Sequence, residues 1–173
     1  MLRRIAFLTL SLFVLATPSA ASLLDERHQV IVTAAQRSGI RYEVNPTDCP
    51  RDVHGFYTGD RLVVCQDYGS RGSTERTWTA NDLDTLRHEA MHLAQDCRDG
   101  NIDMRIDPPS TQRVNDMIDR LGADVFLHIW QRYHERDLYM NGILIELEAF
   151  HNARYNTPEQ IAKEITTHCP RLF

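Results

Sequence analysis

The chain has no basic surplus, no internal repeat, no low-complexity tract and no long apolar run after its first residues. Its formal net charge is −5. That balance argues against nucleic acid as a partner, because such binding rests on basic patches. No apolar run after the N-terminus is long enough to span a bilayer. The patterns G-x-S-x-G and G-x-x-x-x-G-K are also missing, so neither a serine nucleophile elbow nor a phosphate loop finds support. No C-x-x-C pair occurs, which weighs against a zinc site built from cysteines. The content is otherwise ordinary, with 42% hydrophobic and 25% charged residues, as in a folded globular domain.

What is present begins at the N-terminus. Arg3 and Arg4 precede an apolar run from Ile5 to Ala16, then the small residues "TPSAAS". A basic start, a short apolar core and small residues predict a secretory signal peptide over residues 1–21, cut after Ala21. An uncleaved N-terminal anchor is the alternative. Cleavage removes 21 of 173 residues, two arginines and no acid, so the formal charge moves from −5 to −7. The remaining 152 residues suffice for one self-contained core. No lipobox-like cysteine lies near the cut, so a lipid anchor is not expected. The predicted location is secreted or periplasmic. All four cysteines, Cys49, Cys65, Cys97 and Cys169, fall after the cut. An even count in an exported chain implies two disulfides, for which three pairings exist. The favoured pairing is Cys49–Cys65, stapling a local loop, with Cys97–Cys169 tying two helices.

Apolar spacing predicts a helix from Leu23 to Ser38, stopped by Gly39. "IRYEVNP" is a strand candidate, alternating Ile40, Tyr42 and Val44. "HGFYTGDRLVVCQD" predicts a hairpin with its turn at Thr58-Gly59-Asp60. The polar stretch Tyr68 to Thr77 reads as a loop. Thr79 then caps a helix running to about Cys97, with Asp82 closing the capping box. "RDGNIDMRIDPPS" is a loop. Further helices are expected over Thr111–Leu121, Ala123–Tyr133 and Arg136–Tyr155. A last one begins after Thr157, with Pro158 in its first turn and Gln160 closing a second capping box. The expectation is an α+β domain, mostly helical, with one small antiparallel sheet.

The stretch "TLRHEAMHLAQDC", Thr85 to Cys97, carries H-E-x-x-H inside the capped helix. Residues i and i+4 share a helix face, so His88 and His92 can meet one zinc ion. Glu89 is then placed as a general base, and zinc lowers the pKa of a coordinated water to about 7. Leu83, Leu86, Ala90 and Leu93 supply the opposing apolar face. A catalytic zinc takes a third protein ligand. A histidine six residues beyond His92 would supply one, but Arg98 stands there, and Gln95 replaces the intervening glycine. The other source is a later helix. "GILIELEAFHNARY" holds Glu146 and Glu148 in an apolar run, where an acid is costly unless paired or bound to metal.

"HEAMH" followed some fifty residues later by "ELEAF" resembles the gluzincin class of zinc metallopeptidases. The resemblance covers the two motif helices. It implies a single zincin-like domain over 22–173, a Zn2+ cofactor, a peptide or protein substrate, and His88, His92 and Glu146 as ligands with Glu148 in reserve. Many members carry an acid four residues after the third ligand, supporting a histidine; here Phe150 stands there.

Plainer readings accompany each assignment. His88 and His92 belong to a hydrogen-bonded core network in one of them. Glu146 is half of a buried ion pair with Arg87 or Arg132 in another. Tyr139, His134 and Tyr133, and by type Tyr68, are eligible to stabilise an oxyanion. The loops Tyr68–Thr77 and Arg98–Pro109 are the expected cleft walls. The expected activity is amide hydrolysis with Glu89 as the base. The alternatives are an exported binding domain with a structural zinc, and a zinc amidase acting on a cell-wall or other non-protein amide.

Overall fold

The computed structural model describes residues 24–74, 77–136 and 138–169. The predicted signal peptide, residues 1–21, lies outside them. Helix α1 (Glu26–Arg37) is followed by strands β1 (Arg41–Val44), β2 (Gly55–Tyr57) and β3 (Arg61–Val64). Helix α2 (Ala80–Asp96) runs into a 3-10 turn, Cys97–Asp99. Then come α3 (Thr111–Leu121), α4 (Ala123–His134), α5 (Met140–Tyr155) and α6 (Pro158–His168). The fold is mostly helical α+β, as expected. No helix among the described residues is long and apolar enough to cross a membrane.

The sheet differs from the expectation in one respect: it is mixed. The order is β1-β3-β2. The predicted hairpin forms, with β2 antiparallel to β3, but β1 runs parallel to β3, from Arg41 opposite Arg61 to Val44 opposite Val64. The composition of β3 explains its central place. Leu62, Val63 and Val64 are fully buried, so both faces and both edges of this strand need cover. The hairpin covers one edge. Residues 45–54 swing away and return before β2, which leaves β1 to take the other edge in the parallel sense. Asn45 fixes the excursion, accepting from Gln66 N at 2.8 Å and donating to Gln66 Oε1 at 2.9 Å. The Cys49–Cys65 disulfide staples it to the end of β3.

The helices obey their caps. Thr79 Oγ1 accepts from Asp82 N, and Asp82 Oδ2 accepts from Thr79 N. Thr157 and Gln160 repeat the box on α6. Helix α5 starts later than the spacing predicts, at Met140 instead of Arg136. The chain turns after α4, where Arg136 N and Leu138 N both donate to Tyr133 O at 3.1 Å. That turn uses backbone that a continuous helix would need.

Three apolar clusters result among the described residues, the smallest of them Val63 with Cys49 and Cys65. Ile31, Leu62, Leu86, Leu93, Ile161 and Ile165 join α1, the sheet, α2 and α6. Met117, Leu121, Ile129 and Leu147 join α3, α4 and α5. Helix α2 packs against β2, β3, α5 and α6. The second expected disulfide, Cys97–Cys169, forms and ties the end of α2 to the end of α6. No free cysteine remains. Two disulfides are compatible with an oxidising, extracellular setting.

Candidate metal centre

Leu86, Ala90 and Leu93 commit one side of α2 to the core. The side bearing His88 and His92 therefore faces α5, and α5 presents Glu146 to it. His88 Nε2 lies 3.1 Å from His92 Nε2 and 3.1 Å from Glu146 Oε2. His92 Nε2 lies 3.5 Å from Glu146 Oε1. These three groups can hold a metal ion. A tetrahedral ion bound at about 2.0–2.2 Å separates its ligands by about 3.3–3.6 Å. The observed triangle is within a few tenths of an ångström of that, so the residues fit such an ion.

Charge is coupled tightly here. Burial disfavours the Glu146 carboxylate, but His88 and His92 outweigh it and hold its pKa far below the usual range. Burial alone would depress His92; Glu146, Glu89 and Gln95 instead lift it to about 9. Both shifts express one preference, a positive charge beside a buried carboxylate, which a proton or a metal cation satisfies. Glu89 is buried beside them, and burial with the neighbouring Glu146 charge raises its pKa against the pull of both histidines. A carboxyl poised upward in this way suits a group that must take and return a proton.

Glu148 has a different role from the reserve ligand. Two residues along a helix turn it about 200° away from Glu146. It is fully buried. Its oxygens accept from Arg98 at 2.7 and 2.6 Å, from Arg113 Nε at 2.5 Å and from Gln95 Nε2 at 3.0 Å. Gln95 Nε2 also donates to Ile145 O at 3.0 Å. With its amide nitrogen spent, Gln95 turns its oxygen to His92, accepting from Nδ1 at 2.8 Å. His92 Nε2 is thereby aimed at Glu146. Sequence reasoning missed this chain of contacts. The available signals were Glu148 in an apolar run, which asks for a partner, and a polar Gln95 on the histidine side of α2, but nothing in the spacing points to Arg98 or Arg113.

His88 lacks an equivalent. Its Nδ1 is buried without a hydrogen-bond partner, and its ring sits 4.5 Å from that of Phe150. The acid missing at position 150 is thus felt as a missing acceptor. The ion pairs considered for Glu146 do not form: Arg87 pairs with Asp84, and Arg132 has no ion-pair partner among the described residues.

A cleft of about 630 Å³ opens beside His88 and Glu89. Its walls are the segment Asp52–Gly55, Leu121 at the end of α3, parts of α2, α4 and α5, and Arg136; no described residue of the loops expected to form them, 68–77 and 98–109, lines it. The reason is packing: β2 and the α4–α5 pair lie against the histidine side of α2 and leave those loops elsewhere. Gly55 permits the approach of β2. A Cβ there would lie 2.5 Å from Thr85 Cγ2 and 3.1 Å from Glu89 Cγ. Of the eligible oxyanion donors, Tyr133 lines this cleft, its hydroxyl pushed up by burial and by the Glu146 charge. Tyr139 is 90% exposed and Tyr68 78% exposed. His134 stacks on Trp130 at 4.7 Å and is not in the cleft lining. No family model matches the chain, and neither a curated protein nor a solved structure matches it.

Proposed function

We propose that this protein is an exported zinc-dependent hydrolase, a metallopeptidase of the gluzincin kind, with His88, His92 and Glu146 holding the metal. The observation that carries the reading is the His88–His92–Glu146 triangle with a buried, unligated Glu89 alongside it at the end of a cleft. Two imidazoles and one carboxylate form a donor set suited to zinc. Among the described residues no fourth His, Cys, Asp or Glu joins the group, which favours a site with an open position over a closed structural one. When bound, zinc would acidify a water and polarise the amide carbonyl.

The chain supplies the rest. Glu89 takes the proton from the attacking water and returns it to the leaving nitrogen. Its burial raises its proton affinity, which favours the uptake. Tyr133 is the donor closest in type and place to serve the carbonyl oxygen as it gains charge. His92 is held in register by Gln95.

Elemental analysis and peptide turnover test the reading together. Wild type should carry about one zinc per chain, as one three-ligand site requires. Glu146→Ala should lose the metal, and Glu148→Ala should keep at least part of it. Glu89→Gln should retain zinc and lose turnover. Retained turnover in Glu89→Gln would remove Glu89 from the chemistry. A wild type that takes up no zinc would return the triangle to a structural network.

A further inference from the structure

We propose that the cleft selects peptides carrying acidic side chains near the scissile bond, with arginines from three helical segments receiving the carboxylates. As a statement about substrate, this rests on the hydrolase reading; as a statement about binding, it stands alone. The cleft that reaches His88 and Glu89 is lined by Arg87 on α2, Arg132 in the last turn of α4, Arg136 in the turn that follows it, and Arg154 at the end of α5. Four guanidinium groups thus gather at one opening of a chain whose formal charge is −5.

Their partners are the informative feature. Arg132, Arg136 and Arg154 make no ion pair and no side-chain hydrogen bond with any described residue. Arg87 uses Nη2 on Asp84, while its buried Nε has no partner. Elsewhere, Arg41, Arg61, Arg98 and Arg113 meet carboxylates while Arg37, Arg51 and Arg71 meet none among the described residues, so what distinguishes Arg132, Arg136 and Arg154 is that unpaired guanidinium groups share one opening. The acids that line the cleft do little to neutralise the group. Asp84 is committed to Arg87, Glu89 is the proposed base, and Asp52 alone remains. His54 is occupied by Asp67 and Asn81. His128 adds no negative charge.

Guanidinium forks match carboxylates in geometry as well as in sign. Exposed pairs of this kind contribute roughly 1.5- to 5-fold each, so three at the rim give roughly tenfold. Being exposed, they act within a Debye length, which falls from about 10 Å at 0.1 M salt to about 3 Å at 1 M.

The test uses the full mature chain carrying Glu89→Gln, to prevent turnover, and labelled Gly-Ser peptides that contain glutamate, glutamine or lysine. Fluorescence anisotropy should rank them glutamate, glutamine, lysine, with roughly tenfold between the first two. High salt should erase most of that difference. The combined variant Arg132→Gln, Arg136→Gln, Arg154→Gln, in which Arg87 alone remains, should lose most of the glutamate preference, with an unchanged melting curve because all three side chains are exposed. Equal binding of the two peptides to the parent, or a glutamate preference that survives undiminished in the combined variant, overturns the proposal. Wild-type turnover is read separately. Glutamate-selective binding without cleavage of any peptide would leave the cleft preference standing and sink the hydrolase reading, while cleavage without charge preference would do the reverse.

Discussion

His88 and His92 sit one turn apart on the same helix and meet the same carboxylate, yet their surroundings have little in common. His92 is the end of a chain of contacts: Nδ1 to Gln95, Gln95 to Glu148, and Glu148 to Arg98 and Arg113. The same end of α2 is tied further by Tyr57 to Asp96 at 2.8 Å and by the Cys97–Cys169 disulfide. His88 has an unpartnered Nδ1, an aromatic neighbour and a place on the cleft wall. One histidine is therefore aimed by hydrogen bonds and the other by shape. The bonded end leads to the buried Glu148 and the unbonded end lines the cleft, although the two side chains are almost equally exposed, 11% and 12%. An open cleft and a dense set of positioning bonds compete for the same surface, and α2 divides them between its two ends.

Breaking the bonded half should have the largest effects. Replacing Cys97 and Cys169 together by serine frees a loop of 72 residues, which costs about 4 kcal/mol of stability in the chain-entropy account. A Tm drop of roughly 10 °C follows for a domain of this size. The Cys49–Cys65 pair closes only 16 residues and should cost about 3 kcal/mol. Calorimetry of the two double variants checks the order, and an equal or reversed order would mean that the long tether does not anchor α2.

Glu148→Ala comes next. Removing a fully buried carboxylate strands Gln95 and two arginines. Because Arg98 and Arg113 are 34% and 49% exposed in their side chains, they can turn to water, and the loss should lie near the low end for broken buried pairs, about 3 kcal/mol. The sign with pH follows from the Glu148 shift. Burial raises its pKa, but Arg98, Gln95 and Arg113 together leave it below 4.5. Its contribution is therefore complete above about 4.5 and is lost as the pH falls through the lower folded value. Wild type and variant should converge in stability at strongly acid pH. A constant gap down to that pH would show that the carboxylate charge is not what matters.

Much of this division was hidden in the sequence for a physical reason. The H-E-x-x-H spacing, both capping boxes and the two cysteine pairs are local or countable, and periodicity brought out the helices that hold them. Glu146 and Glu148 are two residues apart in one apolar run, and only the rotation of α5 against α2 decides which one meets the histidines. That rotation is set by Ile143 and Leu147, both nearly or fully buried, and such packing has no signature in spacing. The parallel placement of β1 was equally illegible, since it depends on which edge of β3 the hairpin leaves open. The missing acid at position 150 was visible, but its consequence, a buried Nδ1 without an acceptor, needed coordinates.

The smallest effects test the comparison most directly, by exchanging the character of the two histidines. Gln95→Leu removes the acceptor of His92 Nδ1 and should weaken zinc affinity about 10- to 100-fold, as loss of a ligand's hydrogen-bond partner does. Phe150→Leu removes no polar partner from His88, keeps an apolar neighbour and should change affinity far less. Competition against a chromophoric chelator reads both, and similar losses in the two variants would show that shape and hydrogen bonding position these rings equally well. Phe150→Asp runs the exchange in the other direction. It places a carboxylate four residues after Glu146, on the same face of α5, where His88 Nδ1 lies buried and unpartnered. A new acceptor there should fix the tautomer of His88, while the lost ring contact at 4.5 Å gives some of that back. The net expectation is a gain in zinc affinity of only about two- to fivefold, below the usual effect of such partners. A folded Phe150→Asp variant that binds zinc more weakly than wild type would mean that the aromatic wall, not the absent acid, is what holds His88 in place.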